Sequence, residues 1–492
     1  MHAVPKTIHD IYMGVDVWGR GCHGGGGFAL YKAMEHVSPR KLKLSIALFG
    51  QAWTWESEQD KEGWTWDKWL DYETKFWVGP SGAIVPIPEE PPLKPGEQPC
   101  THESFLPVSS FFPCNSPPDP FDAPFSTSFC PGTGLAWFVE GLKAYQSPNG
   151  WTDVDKQTSI GDLLWPSPRP RWDDDRMDKI PTAIAAFCFD DAWNGGNSIK
   201  ISVSLPDSED EPASCRPLWV PVQPLHLTPK KIYEATLVYK VDDPPTATLD
   251  FQVALGFKPT QPDTNFILNV ISSSTLELAN GWTKLGVQFN TISKDEEISC
   301  VTQIAAGLKI AIVAEEPTQP AELSLLLGQL NVFPHIPPCY KEEDPFIVWA
   351  DLSSRPSMSQ TSSTPLGALT WEVAVSLPHA TINVNTEEDP WPAWNGQPTL
   401  DWFPSFLYFN IYAQAFAEDH TIGPVEKAMW IGTSGWDGQK NGFDIWPSNL
   451  PFNVPPGRKV RFYVRGVNDH GGVLQWDKCA FVDVDHITGK EP

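Results

Sequence analysis

Two stretches near the start of the chain decide the fold: Ile11-Tyr-Met-Gly-Val-Asp-Val-Trp-Gly-Arg-Gly21 and Leu44-Ser-Ile-Ala-Leu-Phe-Gly-Gln-Ala-Trp-Thr-Trp-Glu56. Each is a short apolar run that ends in charged and aromatic residues. Such runs predict buried parallel strands, because a strand covered on both faces loses the alternation of polar and apolar residues. Residues 28–37 between them have helical spacing, and Pro39 follows as a stop. In a (β/α)8 barrel, functional groups stand where such strands end.

The composition predicts several domains that are rich in β-structure. A chain of 492 residues is too long for one ordinary core, and its 50 prolines and 36 glycines favour strands joined by many turns. The 61 acidic and 35 basic residues give a net charge of -26. Because this charge repels phosphate backbones and anionic lipids, we expect no nucleic-acid partner and no membrane partner. Neutral ligands are compatible with it.

Targeting signals and cysteine usage predict a cytosolic protein. The first residues carry no apolar core of signal-peptide length, and no later stretch reaches the roughly 18 apolar residues that span a bilayer. The nine cysteines are widely spaced without a Cys-x-x-Cys pair, and no Asn-x-Ser/Thr acceptor occurs. These features indicate free thiols in a reducing compartment.

The pattern along the chain predicts three domains. Residues 1–145 carry three barrel-like strands, the third at 124–131, with a proline-rich insertion at 79–124 that we expect to be a solvated surface loop. Many short strands without helices then predict a jelly-roll-like β-sandwich at 146–335. Runs such as 406–412 predict a fibronectin-like or immunoglobulin-like β-sandwich at 336–492. The expected fold class is therefore α/β plus all-β.

Three strand-end motifs resemble those of one glycosidase family. The two quoted stretches and Phe125-Ser-Thr-Ser-Phe-Cys-Pro-Gly-Thr-Gly134 resemble, in order, motifs of the cytosolic endo-β-N-acetylglucosaminidases of glycoside hydrolase family 85. Phe189-Asp-Asp-Ala-Trp-Asn-Gly-Gly196 is similar to the stretch that opens the first β-sandwich of that family. Gly50-Gln51 stands where the family usually has a small residue and proline, and Trp55 where it usually has tyrosine.

The resemblance implies a function on N-glycans or glycoproteins. The family cleaves the GlcNAc-β1,4-GlcNAc core by substrate-assisted catalysis, in which an Asn-x-Glu motif on an earlier barrel strand orients the acetamide and protonates the leaving oxygen. The sole Asn-x-Glu here is Asn385-Thr-Glu387, which we expect to be a solvated turn. The three barrel-like strands then correspond to the last three units of an incomplete (β/α)8 TIM barrel. We expect this chain alone to lack catalytic residues and activity.

The strand ends supply the candidate substrate-binding residues: Asp16, Arg20, Trp53, Trp55 and Glu56. The two carboxylates are expected either to hydrogen-bond sugar hydroxyls or to hold Arg20 and nearby loops, and the alternative is a structural salt bridge. The two tryptophans are expected to stack on pyranose rings or to pack at the barrel rim.

Other polar and glycine-rich features are compatible with either a functional or a purely structural role. The Gly24–Gly27 run predicts a flexible loop that covers the glycan, or only a linker. His23 and His102 lack partners at metal-ligand spacing, so we predict no catalytic metal and no cofactor. Trp193 is expected to be a structural plug of the sandwich.

Three functional hypotheses follow. The chain works as part of a family 85 endoglycosidase that includes the N-terminal barrel half, or it binds carbohydrate without cleaving it. In the third, Asp16 and Glu56 form their own acid and nucleophile pair, which requires carboxyl groups about 5–5.5 Å apart.

Overall fold

The chain folds into two compact units, of which the first combines strands with helices and the second is mostly β-structure. The computed structural model describes residues 7–37, 42–89, 92, 96, 98–112, 115–172, 181–205, 214–243, 249–260, 266–293, 302–314, 321–335, 345–354, 365–374, 405–435, 441–452 and 458–484. The first unit comprises Met1–Asn115 and Leu164–Pro168, and the second comprises Ser116–Leu163 and Arg169–Pro492. Among the described residues, no helix is long and apolar enough to cross a membrane.

The first unit contains the predicted strand–helix–strand arrangement. Its elements are β1 (Tyr12–Asp16), α1 (Leu30–Val37), β2 (Ser45–Phe49), α2 (Trp53–Glu56) and α3 (Trp66–Trp77). β1 and β2 pair in parallel, with Tyr12 opposite Ser45 and Asp16 opposite Phe49. The parallel pairing predicted from the two quoted stretches is therefore confirmed. The predicted burial of both strands is wrong, because Tyr12 and Phe49 are 68% and 65% exposed and only Val15 of β1 is buried. α3 begins at Trp66, where Thr65 caps it by accepting a hydrogen bond from the Lys68 backbone N–H.

The core of the first unit recruits part of the proline-rich insertion. Phe105, Val108 and Phe111 are buried in the same cluster as Phe28 of the β1–α1 connection and Phe76 of α3. The expectation of a plain solvated loop at 79–124 is wrong for this segment. These three apolar side chains, spaced over seven residues, pack against the helices, and their burial removes apolar surface from water.

The second unit is built from strands. They are β3 (Phe125–Thr127), β4 (Thr133–Val139), β5 (Leu142–Thr152), β6 (Arg171–Trp172), β7 (Thr182–Cys188), β8 (Ser198–Leu205), β9 (Ser214–Leu227), β10 (Ile232–Asp243), β11 (Leu249–Pro259), β12 (Phe266–Glu277), β13 (Trp282–Ser293), β14 (Thr302–Ala314), β15 (Ala321–Pro334), β16 (Phe346–Ser354), β17 (Gly367–Ala374), β18 (Phe406–Ala415), β19 (Met429–Thr433), β20 (Gly442–Ile445), β21 (Val460–Asn468) and β22 (Ala480–Val484).

These strands form antiparallel sheets. The order of the largest is β12-β13-β10-β15-β8-β7, with β3 also on β15, and a four-stranded sheet has the order β11-β14-β9-β6. The C-terminal strands form the sheets β16-β17-β20 and β19-β18-β21-β22, and β4 pairs with β5. The ring of Phe257 on β11 lies 4.0 Å from that of Phe289 on β13, so the first two sheets touch through aromatic side chains. Trp371 and Phe409 make a similar contact between the last two sheets, at 4.9 Å.

The third apolar run is not a barrel strand. β3 pairs antiparallel with β15, with Phe125 opposite Val332 and Thr127 opposite Leu330. The Ser126 hydroxyl also donates to Oδ1 of Asn331 at 2.6 Å. The expected third barrel strand is therefore wrong, and residues 116–145 belong to the second unit. A run of three residues carries no information about which sheet edge receives it, so the sequence pattern could not exclude the barrel.

Two further expectations concern the second unit. Trp193 is 8% exposed and its ring lies 6.1 Å from that of buried Trp282, as expected of a structural plug. The boundary between the two predicted sandwiches lies at 335–345, and residues 336–344 are outside the described part of the chain, as is the Asn385–Glu387 motif. The division into 146–335 and 336–492 stays a prediction.

Candidate functional site

A cavity of about 670 Å³ lies where β1 and β2 end. Both strands run in the same direction, so the residues that follow them meet at one edge. The lining residues are Trp18, Arg20, Phe49, Gly50, Gln51, Ala52 and Glu56. Two of the five predicted site residues, Arg20 and Glu56, thus line one cavity.

Asp16 holds Arg20 in place. The Nε of Arg20 donates to Oδ2 of Asp16 at 2.7 Å, and the Trp18 backbone N–H donates to Oδ1 at 3.0 Å. The hydrogen bond from Arg20 is the main reason why the pKa of Asp16 lies below its ordinary value. The guanidinium also lies 5.5 Å from the Phe49 ring centroid. This ion pair fits both the predicted role in which Asp16 holds Arg20 and the alternative of a structural salt bridge.

The exposed aromatic surface of the cavity comes from Trp18 and Phe49. Their side chains are 40% and 65% exposed. Gly50 has a φ of +75°, and a Cβ at that position would lie 2.8 Å from Cδ1 of Trp18. The glycine therefore allows the indole to lie over the end of β2. Neither aromatic residue is among the predicted site residues, although both stand in the quoted strand-end stretches beside them.

Trp53 and Trp55 are engaged in packing. The Trp53 ring lies 5.3 Å from Phe28, and the Trp55 ring lies 5.1 Å from Trp64 and 5.3 Å from Trp69. Both side chains are half-buried, and neither lines the cavity. Their position matches the alternative of rim packing, and the exposed indole at the cavity is that of Trp18.

Glu73 ties the segment after β2 to α3. Its carboxylate accepts hydrogen bonds from the Thr54 hydroxyl and, at 2.8 Å, from Nε1 of Trp77. Thr54 lies on α2, the helix that carries Glu56. Burial raises the pKa of Glu73, and the two hydrogen bonds only partly oppose this effect. The carboxylate that positions the cavity wall is therefore held in a desolvated environment.

This raised pKa predicts a pH-dependent contribution to stability. Because the folded protein binds the Glu73 proton more tightly than the unfolded chain, the contribution is present below the ordinary glutamate pKa and is lost as pH rises through the raised folded pKa. We expect Glu73→Gln to abolish this loss. Urea unfolding at a series of pH values from acidic to neutral measures the pH dependence of the free energy of unfolding. Glu62→Gln, at an exposed glutamate, is the control. Equal pH slopes in wild type and Glu73→Gln would contradict it.

The third functional hypothesis gains no support from the cavity. Of the two carboxylates that it requires, Glu56 lines the cavity and Asp16 does not. The Asp16 oxygens accept from Arg20 and from the Trp18 backbone. An oxygen held in this way is poorly placed to serve as a nucleophile beside Glu56.

The glycine run is a packed structure and not a flexible cover. Gly24, Gly26 and Gly27 are buried, and the Gly27 N–H donates to the Val17 carbonyl at 2.6 Å. A Cβ on Gly26 would lie 2.2 Å from the backbone nitrogen of Gly19. The prediction of a mobile loop is therefore wrong, because the absence of Cβ atoms serves a close approach between two backbone segments.

A histidine and cysteine cluster lies on the other side of this loop. Nε2 of His23 lies 2.8 Å from Nε2 of His102, and Sγ of Cys100 lies 3.2 Å from Nε2 of His36. The four donor atoms lie within 4.8 Å of one another. The expectation that His23 and His102 lack partners is wrong. Their separation by 79 positions hid the contact, because the insertion folds back on α1.

The cavity defines a class of protein. Exposed aromatic faces beside an arginine and a carboxylate, at the carboxyl edge of parallel strands, are typical of carbohydrate-active proteins, since aromatic faces pack against sugar C–H groups and charged groups bond the hydroxyls. Comparison with known proteins points to one family. Residues 2–137 match the family model described as Glycosyl hydrolase family 85. This segment of the chain is therefore similar to glycosyl hydrolase family 85.

Curated relatives agree with this family. The cytosolic endo-beta-N-acetylglucosaminidase of Gallus gallus is 28% identical over 211 residues, which cover 43% of this chain and 22% of the relative. The Homo sapiens protein of the same name is 27% identical over 250 residues, covering 50% and 26%. Cytosolic endo-beta-N-acetylglucosaminidase 1 of Arabidopsis thaliana is 36% identical over 70 residues, covering 14% and 10%. The chain thus spans about a quarter or less of these relatives.

One solved structure resembles the whole chain distantly. The glycoside hydrolase domain of Endo-D from Streptococcus pneumoniae R6 aligns with a TM-score of 0.48 at 15% identity. The alignment covers 98% of this chain and 58% of that domain. The likeness is too remote to bear on the fold.

Proposed function

We propose that this chain is part of an endo-β-N-acetylglucosaminidase and that its strand-end cavity contacts the GlcNAc-β1,4-GlcNAc core of N-glycans. The observation that carries the proposal is the cavity at the ends of β1 and β2, which lies inside the segment matched to family 85. The names of the relatives support the same substrate class and a cytosolic location. The net charge of -26 suits a neutral glycan and disfavours nucleic acid.

Each lining group has a role in this proposal. Trp18 and Phe49 offer exposed aromatic faces to pyranose rings. Arg20, oriented by Asp16, donates hydrogen bonds to hydroxyl or acetamido oxygens. Glu56 accepts hydrogen bonds from sugar hydroxyls. Trp53, Trp55 and the other aromatic residues behind them keep the wall rigid.

We infer that the acid for hydrolysis lies outside this cavity, whose lining carboxylate, Glu56, is assigned to sugar hydroxyls. In substrate-assisted cleavage the acetamido oxygen of the substrate attacks the anomeric carbon while a carboxylic acid protonates the leaving oxygen. We propose that this acid and the asparagine that orients the acetamide come from earlier units of a TIM barrel, of which β1 and β2 are late strands. On this view the described cavity binds glycan, and the isolated 492-residue chain does not cleave it.

A second candidate is a carbohydrate-binding protein without catalytic activity. The cavity is formed within the first unit from residues 18–56 alone, so glycan binding does not require an acid. The two candidates differ in the message upstream of Met1. In-frame codons for further βα units and an Asn-x-Glu motif would favour the enzyme, and an in-frame stop codon directly upstream would favour the binder.

Glycan binding is tested by calorimetry with an oligomannose glycan that retains the chitobiose core. We expect Trp18→Ala to weaken binding by about tenfold or more, equivalent to about 1.4 kcal/mol, because it removes a stacking face. Trp446→Ala is the matched control, since that indole is 36% exposed but lies in the second unit. Absence of binding by the unaltered chain, or equal losses in both variants, would overturn the proposed site.

The same glycan tests the proposed lack of turnover. Incubation with the 492-residue chain is expected to leave the chitobiose bond intact, as measured by mass spectrometry of the products. Release of a glycan ending in a single GlcNAc would overturn this part of the proposal and would require an acid within the chain.

A further inference from the structure

We propose that His23, His36, Cys100 and His102 form a metal site that is best suited to Zn²⁺. The four residues lie in the first unit, and their donor atoms lie within 4.8 Å of one another. The site is separate from the glycan cavity, whose lining it does not share. The inference therefore goes beyond the proposed function and does not depend on it.

The spacing of the donor atoms suits one tetrahedral ion. At ordinary Zn–N and Zn–S bond lengths, the edges of a tetrahedron of three nitrogens and one sulfur are about 3.3–3.7 Å. The Nε2 atoms of His23 and His102 are 2.8 Å apart, and Sγ of Cys100 is 3.2 Å from Nε2 of His36. Shifts of a few tenths of an ångström bring these two pairs to the edge lengths that Zn²⁺ requires.

The three imidazoles converge from different parts of the chain. The ring centroids of His23 and His36 are 4.9 Å apart, those of His23 and His102 are 5.0 Å apart, and those of His36 and His102 are 5.3 Å apart. His36 stands near the end of α1, and His23 precedes the glycine run. Cys100 and His102 come from the proline-rich insertion. The three rings thus bring nitrogen donors from separate segments to within 4.8 Å of one another.

A half-buried carboxylate fixes the orientation of one ligand. Nδ1 of His102 donates to Oε2 of Glu35 at 2.6 Å, and the His102 side chain is 4% exposed. A neutral imidazole that donates through Nδ1 keeps a lone pair on Nε2, and that atom points at the other donors. A carboxylate behind a ligating histidine is the usual outer-sphere partner in zinc proteins.

The donor set favours Zn²⁺ over harder cations. Imidazole nitrogen and thiolate sulfur are ligands for Zn²⁺, whereas Mg²⁺ and Ca²⁺ prefer oxygen. Four protein ligands leave no open position, which indicates a structural role. Binding releases the thiol proton of Cys100, so one proton leaves as the S–Zn bond forms.

Such an ion would join three segments of the first unit. It would hold the insertion at 100–102 against the end of α1 and against His23, which directly precedes the glycine run. The Tyr31 hydroxyl, which donates to the Glu103 carbonyl at 3.0 Å, already marks the same contact between α1 and the insertion. The glycine run packs on Gly19, between Trp18 and Arg20 of the cavity, so the ion would brace the cavity from behind.

The test is titration of the metal-stripped 492-residue chain with Co²⁺, followed by competition with Zn²⁺. We expect one equivalent to produce the visible absorption of tetrahedral Co²⁺ and a thiolate-to-metal charge-transfer band, and Zn²⁺ to displace both. Cys100→Ser is expected to remove the charge-transfer band, and His102→Gln to lower the affinity at least tenfold. Glu35→Gln is expected to lower it by about 10–100-fold, with the spectrum retained.

Matched controls separate the site from incidental binding. Cys479→Ser, a half-buried thiol in the second unit, and His9→Gln, an exposed histidine, are expected to leave the spectrum and affinity unchanged. Circular dichroism shows whether each variant is folded. Failure of the folded, unaltered chain to bind Co²⁺ would overturn the proposal, as would a charge-transfer band that survives Cys100→Ser. An unchanged affinity for Co²⁺ in both Glu35→Gln and His102→Gln would also overturn the proposal.

Discussion

Replacing Gly26 with alanine is expected to lower the free energy of unfolding of the first unit by about 3 kcal/mol or more. The residue has a φ of +74°, a conformation that costs a residue with a Cβ about 1–2 kcal/mol. The new Cβ would also lie 2.2 Å from the backbone nitrogen of Gly19 and 2.6 Å from the carbonyl carbon of Trp18. Backbone atoms cannot rotate away, so the whole loop must move. Urea unfolding followed by tryptophan fluorescence measures the loss.

Gly21→Ala is the matched control for this substitution. Its φ is +72°, but no atom lies within 4 Å of the position that a Cβ would occupy. We expect it to cost only the conformational term, about 1 kcal/mol. Equal losses for the two variants would show that the close backbone contact contributes nothing. Because Trp18 and Arg20 flank Gly19, we also expect Gly26→Ala, but not Gly21→Ala, to weaken glycan binding.

Replacing Asp119 with alanine is expected to destabilise the second unit by about 3 kcal/mol. Asp119 is 6% exposed, and its carboxylate accepts hydrogen bonds from the Tyr233 hydroxyl at 3.0 Å, from the Thr228 hydroxyl at 2.5 Å and from the Phe121 backbone N–H at 2.9 Å. Tyr233 is fully buried, and burial raises the pKa of its hydroxyl. Alanine would remove the carboxylate acceptor of all three donors and would leave the Tyr233 hydroxyl only a longer contact of 3.4 Å to the Thr228 carbonyl. Losing that acceptor in the interior costs more than the hydrogen bonds contribute.

The control and a second variant locate the effect. Asp122→Ala changes an exposed carboxylate three residues later, and we expect a change of under about 0.5 kcal/mol. Tyr233→Phe removes one donor while Asp119 keeps the others, so its loss should be smaller than that of Asp119→Ala. Chemical denaturation monitored by circular dichroism compares the three. A loss for Asp119→Ala no larger than that for Asp122→Ala would contradict the buried network.

These two substitutions test two different kinds of contact, one in each unit. Gly26 stabilises the predicted βαβ unit because its lack of a Cβ allows close contact with the backbone of Gly19. Asp119 acts through polar groups that bind the start of the second unit to β10. Residues 116–123 were expected to belong to a solvated insertion, and the bonds of Asp119 explain why they do not.

The strand-end stretches were readable because their information is local. Apolar runs, helical spacing and a proline stop each depend on residues within a few positions of one another, and β1, α1 and β2 formed where these patterns lie. Asp16, Arg20 and Glu56 followed from the rule that parallel strands end at one edge. Arg20 and Glu56 line the cavity for that reason, and Asp16 supports it.

The roles of the tryptophans could not be read in the same way. An indole at a strand end is equally suited to stacking on a sugar and to packing on a helix, and the choice depends on what lies opposite. Phe28, Trp64 and Trp69 lie opposite Trp53 and Trp55, whereas Trp18 faces the cavity. Side-chain direction at a loop position follows from φ values such as that of Gly50, which periodicity does not encode.

By itself the sequence determined the βαβ unit, the antiparallel strands that follow it, the negative net charge and the similarity of residues 2–137 to glycosyl hydrolase family 85. Only the tertiary structure decided that β3 joins β15, that Phe105, Val108 and Phe111 enter the core, and that His23, His36, Cys100 and His102 meet. The physical reason is the range of the interactions. Hydrophobic periodicity and turn chemistry act between near neighbours, whereas these contacts join residues up to about 200 positions apart, and burial in the folded chain alone brings them together.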